Sequence, residues 1–249
     1  MALSIIVANW KMYFSYQQGV QFAHAYGDEL VALSKKHNRL MVLCPSFELL
    51  YPVTQLIPSS SFFAFGAQDC SASLLGAHTG QVSALSLAQL GCAYCIVGHN
   101  ERRREYSETS EVVAQKVVRL LEQGITPIVC IGEDEHAYRA AKIYEVLEQQ
   151  LKPIVQMIAS RNACLYYAYE PVWAIGSGIV PDSAYLKNIF SWLANYLAAA
   201  GQSGTLLYGG SVTSEALPML ATLEELGGVL VGGASVDFQK FKNIVSWSK

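Results

Sequence analysis

The chain has 249 residues, of which 52% are hydrophobic and only 15% are charged, and its net charge is −3. An average soluble domain carries about 25% charged residues, so this chain is charge-poor, and it is too apolar to be disordered. Its slightly acidic balance excludes the basic surface of a nucleic-acid-binding protein or of a protein held on an anionic membrane. No linker or change of composition divides the chain, which predicts a single domain over residues 1–249.

Short apolar runs recur along the chain and predict strands that are buried on both faces, as in a parallel sheet. These runs are residues 4–9, 39–44, 62–67, 92–97, 125–131, 163–169, 205–208 and 229–231. About eight strand–helix units in roughly 250 residues predict an α/β fold, a closed (β/α)₈ barrel with a parallel eight-stranded sheet. A doubly wound open sheet is the alternative architecture.

Apolar side chains at helical spacing predict helices over residues 110–123, 135–160 and 181–200. Thr109 or Ser110 is expected to cap the first of these helices, and Gly124 to follow its end. Pro153 is expected to break or kink the second helix, because a proline inside a helix removes one backbone hydrogen bond.

The chain is expected to be cytoplasmic. Its beginning lacks the basic region of a secretory signal. Its six cysteines, such as Cys44 and Cys130, lie in apolar runs, where reduced thiols behave as small hydrophobic groups. The best membrane-span candidate, residues 162–181, is interrupted by Glu170 and Pro171 and by glycines beyond them, so no spanning helix is expected there.

In a (β/α)₈ barrel the chemistry is carried at the carboxyl ends of the strands. Glu170 leaves the sixth predicted strand, where burial disfavours its charged form unless it is partnered or wet, and this makes it a candidate general base. The segment after it has the composition of a lid, with Pro171 at one hinge and Gly176 to Gly178 at the other. The alternative is a capping carboxylate beside an ordinary glycine loop.

Two further strand ends carry chemically useful side chains. His99 follows the fourth strand and is suited to polarise a carbonyl or to shuttle a proton, although a solvated charge run at a helix start is the simpler interpretation. Lys11 follows the first strand, where it can meet an anionic substrate or act as a Schiff-base lysine. A lysine in that position is also commonly just solvated.

Glycine-rich turns follow the last two strands. Gly209 and Gly210 precede Ser211, and Gly232 and Gly233 come after the eighth strand. Bare backbone N–H groups at this edge of a barrel frequently bind phosphate, whereas the simpler alternative is two tight turns. No metal or cofactor is expected, since no P-loop, dinucleotide fingerprint or metal-ligand spacing is present.

Taken together, the motifs resemble those of the triosephosphate isomerase family over essentially the full chain. They include Asn9-Trp-Lys11, Gly98-His99-Asn-Glu101, Tyr169-Glu170-Pro-Val-Trp-Ala-Ile-Gly176, Tyr208-Gly-Gly-Ser211 and Leu230-Val-Gly-Gly-Ala-Ser235. The resemblance implies an isomerase of glycolysis and gluconeogenesis that interconverts dihydroxyacetone phosphate and D-glyceraldehyde 3-phosphate without a cofactor.

The resemblance also implies roles for individual residues. Glu170 would move the proton through a cis-enediolate, neutral His99 would polarise the carbonyl, and Lys11 would offset negative charge. Asn9 would donate a hydrogen bond near the substrate, and Glu101 and Asn100 would support these groups from behind. The phosphate would be held by backbone N–H groups at Gly176, Ser211, Gly232 and Gly233.

The chain departs from the usual family pattern at a few positions. They are Ala8 and Ser107 in place of glycine, Asn100 in place of serine, Asp69 in place of asparagine and Ser177 in place of threonine. Because Asn100 keeps hydrogen-bonding capacity, a modest change in the resting partner of Glu170 is expected, and no loss of activity.

No Asp, Glu, Lys or Arg occurs from Cys70 to Asn100. A long uncharged loop, from Ser71 to Gly80, is typical of a buried protein contact rather than of solvated surface. The resemblance implies a homodimer in which Thr79 of this loop reaches the partner subunit's Asn9 and Lys11. Chance in a charge-poor chain is the alternative.

Two other functions remain in view. One is a different phosphosugar barrel enzyme, such as an aldolase that forms a Schiff base on Lys11, although the lid after Glu170 argues against it. The other is a non-catalytic relative, which would be expected to lack one of Asn9, Lys11, His99 and Glu170, and all four are present.

Overall fold

The computed structural model describes residues 3–161, 163–176 and 178–247. Within them, parallel strands close into a barrel in chain order, and the first strand pairs with both the second and the eighth. The strands are β1 Ile5–Asn9, β2 Leu40–Cys44, β3 Phe63–Ala67, β4 Cys92–Val97, β5 Thr126–Ile131, β6 Cys164–Tyr169, β7 Ser203–Tyr208 and β8 Leu226–Val231. The predicted closed barrel is confirmed, and the open sheet is excluded.

Helices lie between the strands and surround the barrel. They are α1 Tyr16–Lys36, α2 Phe47–Leu56, α3 Ala84–Gln89, α4 Asn100–Tyr106, α5 Ser110–Glu122, α6 Glu135–Arg139, α7 Ile143–Met157, α8 Ser183–Ala199, α9 Leu217–Leu220 and α10 Phe238–Ser246. Two short 3₁₀ helices, Val172–Ala174 and Gly233–Val236, follow β6 and β8. Both therefore lie at the carboxyl ends of their strands.

Each strand buries side chains on both faces, which explains its nearly continuous apolar sequence. Alternate residues such as Val7, Ile96 and Ile128 fill the inside of the barrel. The residues between them, such as Ile6 and Val97, pack outward against the helices. The rigid barrel thus fixes the directions in which the strand-end residues leave it.

The strands at the end of the chain begin earlier than predicted. β7 begins at Ser203 rather than residue 205, and β8 at Leu226 rather than residue 229. The additional residues include Gly204, Gly227 and Gly228, which give no apolar signal. The pairing of these two strands also shifts register, between Leu206 and Leu207.

The helix predicted over residues 135–160 is wrong in detail, because the structure has two helices there, α6 and α7. The interruption lies at Ala141, whose φ of 54° is left-handed and ends α6. The Lys142 N–H donates to the Ala137 carbonyl at 2.9 Å, a local bond that closes the end of the first helix. A left-handed alanine carries no sequence signal, since glycine or asparagine is the usual choice.

The break expected at Pro153 does not occur, and α7 runs through this residue to Met157. Leu147, Leu151 and Ile154 are buried on either side of the proline. Packing of this apolar face outweighs the loss of one backbone hydrogen bond. The caps of α5 are as expected, since the Thr109 side chain accepts the Val112 N–H at 3.3 Å and Gly124 follows with a φ of 69°.

Candidate active site

A cavity of about 530 Å³ opens at the carboxyl end of the barrel. It brings together the strand-end residues that the sequence pointed to, although they are spread over the whole chain. The lining includes Asn9, Lys11, His99, Glu170, Gly176, Ser211, Gly232 and Gly233. Of the other two predicted site residues, Asn100 contacts Glu170 and Glu101 contacts Lys11, both from outside the lining.

Glu170 follows β6 directly and is held by its neighbours on both sides. Its N–H donates to the Ile131 carbonyl at 2.7 Å. A Cβ built on Gly132 would lie 1.7 Å from the Glu170 carbonyl oxygen, and one built on Gly209 would lie 2.9 Å from its Cγ. These two glycines allow the ends of β5 and β7 to approach Glu170, so its position is set by backbone packing.

The carboxylate of Glu170 is almost completely buried, with 2% exposure, but it is well partnered. Its Oε1 lies 3.1 Å from His99 Nε2, and its Oε2 accepts the Asn100 N–H at 3.1 Å and the Asn100 side-chain N–H at 3.2 Å. Burial raises the pKa of Glu170, but His99 and the Asn100 bonds outweigh it and lower the pKa below its ordinary value. Glu170 is therefore ionised at neutral pH.

His99 is the N-cap residue of α4. Its Nδ1 accepts the Glu101 backbone N–H at 3.3 Å, which directs the proton of a neutral ring onto Nε2, the nitrogen that faces Glu170. Burial lowers the pKa of His99, whereas the adjacent Glu170 carboxylate raises it, and the net direction is upward. The protonation of the imidazole therefore depends on where the carboxylate lies.

Lys11 follows β1 in a left-handed conformation, with a φ of 47°. Its N–H donates to the Asn9 side-chain oxygen at 3.0 Å, and the Gln68 amide donates to its carbonyl at 2.8 Å. The ammonium of Lys11 lies 2.7 Å from a Glu101 carboxylate oxygen. These contacts hold a positive charge at the cavity in a backbone conformation that is unfavourable for a lysine.

The opposite side of the cavity is formed largely by backbone. The 3₁₀ helix Gly233–Val236 begins at the cavity wall, and a Cβ built on Gly232 would lie 3.4 Å from the Lys11 Cε. Ser235 ties this turn to β1 through a bond of 3.3 Å to the Asn9 carbonyl. A helix start and bare glycine N–H groups favour an anion such as a phosphate.

The segment after Glu170 contacts the loop after β7. Ser211 Oγ donates to the Ala174 carbonyl at 3.2 Å. Gly176 and Gly178 have φ values of 74° and 76°, the conformations that make glycine useful at a hinge. The departure noted at Ser177 lies outside the described residues.

Glu133 is a buried carboxylate that the sequence reasoning did not single out. It accepts hydrogen bonds from Trp173 Nε1 at 2.7 Å, from the Tyr185 hydroxyl at 2.8 Å and from the Tyr169 hydroxyl at 3.0 Å. Tyr138 also stacks on Trp173, with ring centroids 4.1 Å apart. Glu133 therefore anchors the start of the lid segment. A carboxylate two residues after the end of an apolar strand was its available signal.

Two of the departures have a visible structural context. Ser107 takes a left-handed conformation at the end of α4, with a φ of 52°, where glycine would carry no strain. Asp69 lies 2.6 Å from the buried Lys116 ammonium and 3.1 Å from Arg102, in a cluster that also contains Glu108. The additional carboxylate at position 69 thus has its own cationic partners.

Two other kinds of feature are absent from the described residues. No group of three or more His, Cys, Asp and Glu side chains in that part of the chain is arranged to hold a metal ion. Of the helices formed by these residues, none is long and apolar enough to cross a membrane.

Comparisons with known proteins agree with this geometry. A family model described as triosephosphate isomerase matches residues 4–248. Similar relatives include the triosephosphate isomerase of Aquifex aeolicus (strain VF5), 35% identical over 97% of this chain and 98% of that protein. That of Bacteroides fragilis (strain YCH46) is 34% identical, with 98% of both chains covered. The match extends over almost the whole length, and the chain belongs to the triosephosphate isomerase family.

Proposed function

We propose that this protein is an isomerase that interconverts dihydroxyacetone phosphate and D-glyceraldehyde 3-phosphate, a step of glycolysis and gluconeogenesis. Membership of the family supports this reaction. The observation that carries it within the structure is the buried Glu170 carboxylate, 3.1 Å from His99 Nε2 in a cavity that also contains an ammonium group and glycine-rich turns. A base, an electrophile and an anion site are the groups that this chemistry needs.

In the proposed reaction Glu170 removes a proton from the carbon beside the substrate carbonyl and returns it to the neighbouring carbon. To do so it must leave Asn100 and His99, whose bonds keep its pKa low at rest. Without those bonds burial dominates, and the carboxylate becomes a stronger base. The contacts with Asn100 and His99 therefore keep Glu170 ionised until the substrate binds.

His99 polarises the substrate carbonyl through its Nε2–H. When Glu170 turns toward the substrate, the contribution that raises the pKa of His99 is removed, and burial together with the start of α4 favours the neutral ring. A neutral imidazole can donate a proton to the cis-enediolate oxygens, because the acidity of its N–H is close to that of the enediol hydroxyl that forms. A glutamate base beside a neutral imidazole is the known arrangement of this enzyme family, so both roles rest on the resemblance as well as on the contacts.

Lys11 and Asn9 stabilise the negative charge that develops on the oxygens of the cis-enediolate. Preorganised donors of this kind are commonly the largest contribution to catalysis, because they need no reorganisation during the reaction. The proposed reaction needs no metal or cofactor, since the substrate's own carbonyl acidifies the C–H bond on the neighbouring carbon.

The phosphate group is held by backbone N–H groups of Gly176, Ser211, Gly232 and Gly233. Closure of the lid over it excludes water, which suppresses elimination of phosphate from the enediolate and strengthens each hydrogen bond inside. The Ser211 contact to the lid carbonyl of Ala174 supports this coupling between the phosphate site and the lid.

An aldolase that forms a Schiff base on Lys11 is the competing function. The 2.7 Å ion pair ties the Lys11 amine to Glu101, whereas a Schiff-base lysine needs a free amine for attack. Borohydride reduction in the presence of substrate would leave a covalent adduct on Lys11 if the aldolase were correct, and none is expected.

The test of the proposed function is an assay on glyceraldehyde 3-phosphate, coupled to consumption of dihydroxyacetone phosphate, with the Glu170→Asp variant beside the wild type. Shortening the side chain by one methylene displaces the base by about 1 Å, which is expected to lower kcat about 100-fold. Glu224→Asp, the same change at an exposed site, is the control. Unchanged activity of Glu170→Asp would overturn the proposed mechanism.

We also propose a homodimer formed through the loop from Ser71 to Gly80, with Thr79 reaching the partner subunit's Asn9 and Lys11. Leu74 and Leu75 in this loop are 62% and 67% exposed, and Met12, beside Lys11, is 90% exposed. Apolar groups this exposed favour burial against a second subunit. A fully active monomer in sedimentation at micromolar concentration would contradict this proposal.

The remaining expectations are of location and organisation. The chain is proposed to work in the cytoplasm as one barrel domain over residues 1–249. Burial raises the pKa of the Cys92 thiol to about 12, and Cys44, Cys70, Cys95 and Cys130 are buried as well. Inert buried thiols of this kind support a chain that folds in a reducing compartment.

A further inference from the structure

Gly132 follows β5 at the point where β5 and β6 cease to pair. The last backbone bond between the two segments runs from the Glu170 N–H to the Ile131 carbonyl, at 2.7 Å. In the described part of the chain, neither the N–H nor the carbonyl of Gly132 bonds to another backbone group. Gly132 is half-buried, and a peptide group that is shielded from water needs hydrogen-bond partners. A side chain must therefore supply them.

The side chain of Gln150 supplies both partners. Its Oε1 accepts the Gly132 N–H at 2.8 Å, and its Nε2 donates to the Gly132 carbonyl, also at 2.8 Å. A carboxamide presents a donor and an acceptor side by side, and one donated and one accepted bond also join paired residues in an antiparallel sheet. The carboxamide of Gln150 thus takes the place of a neighbouring strand at the residue where β5 ends.

The helix that carries Gln150 is itself firmly placed. α7 buries Leu147, Leu151 and Ile154, and it packs against α5 and β5. Gln150 therefore reaches Gly132 from a packed helix and not from a loop. A group held by a regular element is positioned more precisely than one held by a loop.

Gly132 in turn lies against the backbone of Glu170. A Cβ built on Gly132 would lie 1.7 Å from the Glu170 carbonyl oxygen and 2.7 Å from its carbonyl carbon. No space separates the two backbones, so a displacement of Gly132 is passed directly to Glu170. The chain of contacts runs from the helix through the carboxamide and Gly132 to the residue that carries the buried carboxylate.

We propose that Gln150 is a positioning residue for the isomerase reaction, which fixes the backbone of Glu170 through Gly132. This inference rests on the proposed function, in which Glu170 moves the proton. Gln150 and Gly132 both lie outside the lining of the active-site cavity, so Gln150 acts on the base and leaves the phosphate site unchanged. The loss of its two bonds is therefore expected to lower kcat and not to raise KM.

The test compares Gln150→Met with two control variants. Gln150→Met keeps the length of the side chain and removes both bonds to Gly132. Gln149→Met makes the same change at the exposed neighbour, whose amide makes only a 3.4 Å bond to Glu145. Val155→Ala removes buried apolar packing from α7 and leaves the Gln150 bonds in place.

The first readout is kcat and KM for glyceraldehyde 3-phosphate, together with Tm. Gln150→Met is expected to lower kcat about tenfold or more and to change KM less than about twofold, because a displaced base misses the reacting geometry. Gln149→Met should match the wild type, and Val155→Ala should lower Tm while kcat stays unchanged. A kcat of Gln150→Met within about twofold of the wild type would overturn the proposal, as would an equal loss of kcat in Val155→Ala.

The second readout is amide hydrogen exchange, which needs no turnover. In Gln150→Met the Gly132 N–H loses its acceptor and should exchange faster. The Glu170 N–H, which is bonded to Ile131, should also exchange at least about tenfold faster than in Gln149→Met, because its backbone is no longer held from behind. Faster exchange at Gly132 alone would confine the role of Gln150 to the end of β5 and would overturn the proposal.

The two readouts separate this inference from the proposed function. An inactive wild type would refute the isomerase activity, and exchange of the Glu170 N–H would still show whether Gln150 fixes that residue. An active wild type with an unchanged Gln150→Met variant would leave the proposed function intact and remove the role of Gln150.

Discussion

Glu133 and Glu170 leave the neighbouring strands β5 and β6, and both carboxylates are buried, at 0% and 2% exposure. Glu133 is surrounded by Trp173, Tyr169 and Tyr185, whose bonds offset only part of the cost of burial, so its pKa stays above the ordinary value. Glu170 is bonded to His99 and Asn100, which lower its pKa. One edge of the barrel thus holds two buried carboxylates, of which Glu133 has a raised pKa and Glu170 a lowered pKa.

The largest effect is expected at Glu170, the proposed general base. Glu170→Gln keeps the volume and removes the proposed base, and kcat is expected to fall by about 10³-fold or more. Thermal denaturation should show a smaller loss of stability than the same change at Glu133, because the glutamine oxygen still accepts from Asn100, although the contact with His99 is lost. A loss of stability with activity retained would reverse the roles we assign to the two carboxylates.

The same substitution at Glu133 is expected to lower the stability of the protein. Glu133→Gln leaves one acceptor oxygen for three donors, and should lower the free energy of unfolding by about 2–3 kcal/mol. For a chain of this size that is roughly 5–10 °C in Tm. Glu225→Gln, at a half-buried carboxylate that accepts from Ser191 at 2.6 Å, is the matched control and should change Tm less.

A smaller change tests the link between the anchor and the lid. Trp173→Phe keeps a ring to stack on Tyr138 but loses the 2.7 Å bond to Glu133, and should cost about 1–2 kcal/mol of stability. Because this residue begins the lid segment, kcat/KM should fall severalfold as well. Trp192→Phe, whose ring stacks on Tyr196 in α8, should leave kcat/KM unchanged.

The smallest effect is expected at the residue that holds Glu170 at rest. Asn100→Ser should change kcat/KM by less than about tenfold, since the backbone N–H still donates to Glu170 and a hydroxyl replaces the amide donor. Asn100→Ala removes the 3.2 Å side-chain bond, which lowers the pKa of Glu170 in the wild type. The acid limb of kcat/KM should therefore move to higher pH in Asn100→Ala. A shift to lower pH, or a change of several orders of magnitude in Asn100→Ser, would contradict this interpretation.

Most of the barrel could be predicted because a parallel strand buried on both faces leaves a continuous apolar run. Ser203 and Gly204 in β7 were missed because they are not apolar. Their place in the strand is decided by pairing with neighbouring strands and not by their own side chains. The break at Ala141 was also invisible. Ala141 is left-handed where the Lys142 N–H bonds to the Ala137 carbonyl, and the sequence offers no glycine to mark this break.

At the candidate site, the strand-end rule pointed to Glu170, His99 and Lys11, and the structure brings them to one cavity. The same rule also fits Glu133, which follows β5 after Gly132 and was not singled out. The difference lies in partners far along the chain, namely Trp173 and Tyr185 for Glu133, and His99 and Asn100 for Glu170. Such pairings depend on tertiary structure, so no local pattern could reveal them.

The left-handed backbone of Lys11 has a consequence for the evolution and engineering of this protein. Left-handed geometry costs a side-chain-bearing residue about 1–2 kcal/mol, so glycine at position 11 would relieve strain. That gain cannot be used, because glycine has no ammonium group to place at the cavity. Substitution for thermal stability alone and substitution for turnover therefore favour different residues at position 11.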